Sequence, residues 1–236
     1  MLFFSKQLNS CLLTFIVVFL SSCYGQYSRV SERESIVNNK NIEIINLNNL
    51  MLRLLKSDEK LTPKVVFNKD GSSTYTYIKR PGEGEIDLKE IKKRILLGSE
   101  FYRNDRKKIV NLLTRINELE INNKLDNLNN GVLGLWVPSK NLIVVDYKVV
   151  DMGSPAFLDV LRHEVIHIAQ SCYGGSRNAF PKRIGLPLEF SKEINFNLTH
   201  RAYSQNPEEV KNIEREAFSY SKVDGAAIKL LNRFCE

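Results

Sequence analysis

Apolar positions recur along this chain in two rhythms, one of three to four residues and one of two, and they divide it into helices and strands. The first apolar run, Leu12 to Leu20, carries no charge and is too short to span a bilayer comfortably. Ile44, Ile45, Leu47, Met51, Leu52, Leu54 and Leu55 predict a short helix within residues 42–56. Residues 64–67 and 74–79 alternate in the manner of strands around the turn signal Asn68-Lys69-Asp70-Gly71. After a break at Pro81-Gly82-Glu83-Gly84 come two helical patterns, 87–97 and 100–121, the second with Phe101, Ile109, Leu112, Leu113, Ile116 and Leu119 on one stripe. Residues 131–137 and 141–146 predict a strand pair joined by Pro138-Ser139-Lys140.

The stretch that follows is the centre of the pattern. Ser154 and Pro155 predict the N-cap and first residue of a helix running to Cys172, with Asp159 near the positive end of its dipole and Gly174-Gly175 ending it. Leu161, Val165, Ile166 and Ile168 make it apolar on more than one face, so it is expected to be buried. A later helix is signalled by Asn206 as N-cap, Pro207 at the first position and Glu208-Glu209 in the first turn. Taken together, the elements predict an α+β protein with a small sheet, its edge hairpin placed before the central helix, and a mostly helical C-terminal part.

Composition bounds the picture without redirecting it. A chain of 236 residues, 43% hydrophobic and 26% charged, fits a single globular domain. The formal charge of +7 raises the question of an anionic partner. Basic residues are interspersed with carboxylates, as in Lys89-Glu90-Ile91-Lys92-Lys93-Arg94, and no basic run is interleaved with aromatics. A nucleic-acid groove is therefore not expected, and solvated helix faces account for the charge.

The N-terminus reads as a targeting segment, with Lys6 ahead of the apolar run. Leu20-Ser21-Ser22-Cys23 resembles the lipobox of bacterial lipoproteins, which implies removal of residues 1–22 and lipidation of Cys23. Simple cleavage near Ser22 or Gly25, with full secretion, is the competing reading. Under either reading the protein is exported, to the bacterial envelope or beyond it. Residues 23–41 are polar and read as a spacer before one domain over 42–236. Two cysteines then remain, Cys172 and Cys235, which are either a disulfide or two separate buried thiols. A monomer is expected.

The candidate chemistry lies in the central helix. Two of the three histidines in the chain fall four apart, in His163-Glu164-Val165-Ile166-His167. That spacing places both imidazoles on one helix face, where they can hold one metal ion. Glu164 sits beside them and can take a proton from water and return it to a leaving amine. Zinc suits such a site, because it accepts neutral imidazole and leaves a position open when the protein supplies three ligands.

His-Glu-x-x-His resembles the zinc metallopeptidases, the zincins. The metzincin subgroup is out, because its continuation needs Gly at 170 and His at 173, where this chain has Gln170 and Tyr173. Residues 131–236 resemble instead the gluzincin group, in which a glutamate on a second helix, commonly followed by Ala or Gly and then an aromatic, completes a His2Glu site. In Glu214-Arg215-Glu216-Ala217-Phe218 the resemblance makes Glu216 the third ligand of one zinc ion and leaves Glu214 to orient an imidazole. His200 and Tyr203 are candidates for stabilising an oxyanion. Trp136 either lines the cleft or packs in the core. The implied function is zinc-dependent peptide hydrolysis at the cell envelope, with an extended substrate paired to the edge strand. A non-catalytic anchored binding or structural lipoprotein with a zinc site is the alternative.

Overall fold

The motif stretch forms the longest helix in the computed structural model, which describes residues 45–80, 83–128, 131–199 and 206–236. The signal segment 1–22, Cys23, the spacer 23–41, His200 and Tyr203 lie outside the described residues. Chain order is α1 (Leu47–Lys60), β1 (Lys64–Phe67), β2 (Ser73–Thr76), α2 (Leu88–Leu97), a 3-10 segment Gly98–Tyr102, α3 (Arg103–Glu118), β3 (Asn122–Asp126), β4 (Gly134–Val137), β5 (Leu142–Asp146), α4 (Tyr147–Asp151), α5 (Ser154–Tyr173), α6 (Lys192–Thr199), α7 (Glu208–Ser221) and α8 (Ala226–Phe234). No helix among the described residues is long and apolar enough to cross a membrane.

Helix α5 is the axis of the core. Every residue from His163 to Ser171 is buried, because α3, α7, α8 and strand β4 pack around it. A helix apolar on all sides has only such a place to go. Two separate sheets are present: the β1–β2 hairpin, and a three-stranded sheet in the order β3-β5-β4. In the latter, β5 is central and buried throughout, β3 runs parallel to it and β4 antiparallel. Strand β4 is thus an outer strand lying against α5, the position expected of the edge hairpin.

The N-terminus of α5 is capped from a distance, which differs from the sequence expectation. Ser154 is the first helical residue and not the cap; Gly153, with φ of 85°, precedes it. The buried Asp58 of α1 takes over, its carboxylate accepting from the Ser154 amide at 2.9 Å and the Ser154 hydroxyl at 2.6 Å. Arg106 pairs with the same carboxylate at 2.5 Å, and Arg80 approaches to 3.8 Å. A buried acid at the positive helix end thus ties α1 and α3 to the motif helix. Asp58→Ala leaves the buried Arg80 without its carboxylate and takes one of the partners of the half-buried Arg106, and a loss of about 3 kcal/mol is expected. Urea denaturation checks it; a loss below about 1 kcal/mol would show that the cap is replaceable.

At the other end, Cys172 and Cys235 form a disulfide across 63 residues that fastens α8 to the end of α5. By the loop-entropy relation a closure of that length stabilises by about 4 kcal/mol. Elsewhere the structure shifts or adds elements. Asn206 is not the cap of α7; Pro207 is, and Glu208 is the first helical residue. Strand β3 and helices α4, α6 and α8 were not expected as individual elements.

Candidate metal centre

Three buried donors converge between α5 and α7. The Nε2 atoms of His163 and His167 are 3.1 Å apart. Glu214 Oε2 lies 3.4 Å from the first and 3.3 Å from the second. Among the described residues this is the one cluster of His, Cys, Asp or Glu with the separation of a metal site. A tetrahedral zinc at about 2.0–2.1 Å from each donor sets neighbouring donors about 3.3 Å apart, so the triangle has the right size. His163, His167 and Glu214 are at most 1% exposed. Two imidazoles and a carboxylate converging within one buried cluster are a donor set that a divalent cation fits.

The third corner of the triangle is Glu214, which corrects the expectation that Glu216 would stand there. Helix α7 buries the stripe Val210, Ile213, Glu214, Ala217, Phe218 and Ser221, at intervals of three and four residues. Glu214 lies in the middle of that stripe and faces α5, while Phe218 one turn on stacks against His163, ring centroids 4.5 Å apart. Glu216, two residues on, faces elsewhere. Its carboxylate accepts from the amides of Ile184 at 2.9 Å, Gly185 at 3.0 Å and Leu186 at 2.9 Å, and from Gln170 Nε2 at 2.9 Å. Four donors saturate its two oxygens, leaving none for a metal.

Glu216 acts on the centre indirectly, through Gln170. That side chain donates to Ile213 O at 3.1 Å as well as to Glu216, so its amide nitrogen is committed and its oxygen faces His167. The 2.7 Å contact between His167 Nδ1 and Gln170 Oε1 then requires the imidazole to donate, which leaves Nε2 for the metal. The expectation had given a fixing role to Glu214; the residue that fills it is Gln170, three positions after His167.

The protonation of the chain without a bound cation is set mainly by burial. Burial lowers His163 to about 4. Burial also opposes the charge on His167, but the Glu214 carboxylate overcomes it and raises that imidazole to about 9. Glu214, disfavoured by burial and favoured by His167, stands at about 2. Glu164 is pushed by burial up to about 8. Without a cation, the Glu214 carboxylate favours the charged form of His167, and burial disfavours the charge on Glu164 that a dication in the triangle would restore. A metal held by these residues would need both imidazoles neutral, so its binding would compete with a proton on His167.

Glu164 stands beside the donor triangle and outside it, as the motif implies. The backbone amide of Trp136 on β4 donates to its carboxylate. Its Oε2 is buried and has no hydrogen-bond partner among the described residues. Trp136 does not line a cleft: the indole is 1% exposed and Nε1 donates to Ser171 Oγ at 2.9 Å. No family model, curated protein or solved structure matches this chain.

Proposed function

We propose that the protein is a zinc-dependent peptidase of the zincin type, exported and tethered through a lipidated Cys23. The observation that carries this reading is the triangle of His163, His167 and Glu214 with an uncommitted carboxylate oxygen, Glu164 Oε2, beside it. Bound zinc supplies Lewis acidity there, acidifying water and polarising a carbonyl. Glu164 takes the proton from the attacking water and passes it to the nitrogen of the departing amine. Gln170 keeps His167 in the tautomer whose Nε2 lone pair faces the triangle. Strand β4 offers its outer edge to an extended peptide, as a sheet edge does in strand addition.

A second reading has an observation of its own. His163, Glu164, His167 and Glu214 are at most 1% exposed, so peptide access requires the side chains packed around them to move. A zinc ion that only braces α5 against α7 needs no such movement. The test is the full-length protein, its zinc stoichiometry and its cleavage of a mixed peptide pool. One zinc per chain and cleavage are expected; a chelator abolishes cleavage and added zinc restores it. Zinc without cleavage transfers the site to the non-catalytic reading. Folded protein that takes up no zinc removes both.

A further inference from the structure

Strand β4 meets the motif helix at a glycine. Gly134 has no positive φ, so the backbone does not demand glycine; space does. A Cβ built there would lie 2.6 Å from Val160 Cγ1, 2.7 Å from Glu164 Oε1 and 3.0 Å from Glu164 Cγ. Val160 and Glu164 are one turn apart and share the face of α5 turned to β4. Trp136, two residues along the strand, points its buried indole at the same helix, where it bonds Ser171. Between these contacts the missing side chain at 134 leaves the gap that the Glu164 side chain occupies. There the Trp136 amide donates to the carboxylate while its Oε2 keeps no partner.

We propose that Gly134 is a positioning residue: its missing side chain is the slot that holds Glu164 at the edge of β4. The proposal deepens the peptidase reading and rests on it for its kinetic consequence. Any larger residue displaces the carboxylate from the Trp136 amide and from the water it must deprotonate, while His163, His167 and Glu214 keep their places. A displacement of about 1 Å at a reacting group costs about 10²-fold in rate. The loss falls on kcat, because Gly134 acts on the base and not on substrate.

The experiment compares full-length, zinc-loaded wild type with Gly134→Ala, Val160→Ala and the double variant. It reads zinc per chain, hydrogen exchange of the Trp136 amide, and kcat and KM on a fluorogenic peptide chosen from those the wild type cleaves. Gly134→Ala is expected to retain zinc, to speed Trp136 exchange about tenfold for one lost hydrogen bond, and to lower kcat about 10²-fold at nearly constant KM. Val160→Ala removes the closest overlap, so it rescues the double variant only if Gly134 merely makes room for valine. Unchanged kcat in Gly134→Ala, or recovery in the double variant, overturns the proposal. Should Gly134→Ala fail to fold, the double variant carries the comparison. Should the wild type bind zinc and cleave nothing, the peptidase reading fails by itself and Trp136 exchange alone decides whether Gly134 holds Glu164.

Discussion

Glu214→Ala is expected to empty the metal centre, and Glu216→Ala is expected to leave it filled but weakened. Glu214 supplies one of three donors within 3.4 Å of each other and the one negative charge among them. Its loss leaves two imidazoles on one helix, a chelate that holds zinc far less tightly. The fall in affinity should exceed the roughly 10–100-fold that accompanies loss of an outer hydrogen-bonding partner. Glu216 is such a partner, acting through Gln170, so its removal belongs in that smaller range. It also strands the amides of Ile184, Gly185 and Leu186, which makes Glu216→Ala the less stable protein of the two. Competition with a chromogenic zinc chelator ranks the affinities and thermal denaturation ranks the stabilities. Full zinc retention in Glu214→Ala would remove this residue from the centre.

The two glutamates show how far the sequence could be read. The motif helix is legible because its apolar residues surround two histidines at helical spacing, and both its length and its burial follow. Its true cap is illegible, since Asp58 is 96 residues away from Ser154 and only the tertiary fold brings them together. Strand β3 is hidden for a related reason. Asn122-Asn123-Lys124-Leu125-Asp126 has no apolar alternation, and its pairing with β5 makes it a strand. Asn123 and Lys124 are buried there because each finds a polar partner, Asn117 at 2.8 Å and Asp126 at 2.6 Å. The choice between Glu214 and Glu216 was legible in principle. The apolar stripe Val210, Ile213, Ala217, Phe218 passes through position 214 and misses 216, and helix periodicity outranks the short family pattern that pointed to Glu216. Gln170 also carried a readable signal: three residues after His167 it shares that face of the helix.

Glu164→Gln should separate binding from chemistry more cleanly than any other change in the site. Glutamine matches glutamate in shape, and its side-chain oxygen can still accept from the Trp136 amide that holds Glu164. The slot opposite Gly134 stays filled, so neither α5 nor β4 has cause to move. Glu164 lies outside the triangle of donors, so zinc content should remain at one per chain. What disappears is the capacity to accept a proton from water and return it to the amine. General acid–base help of this kind contributes about 10²–10⁴-fold, and peptide cleavage should fall by that factor. His163→Ala gives the contrast, losing zinc and cleavage together because a donor has gone. Steady-state cleavage of the pooled peptides beside zinc analysis of the same samples makes the comparison. Undiminished cleavage by Glu164→Gln would defeat the assigned mechanism. If zinc were lost together with cleavage, Glu164 would join the donor set and the proton would need another carrier. With zinc kept and cleavage lost, the second, purely bracing reading of the metal fails as well, since a brace has no use for a carboxylate that holds no ion.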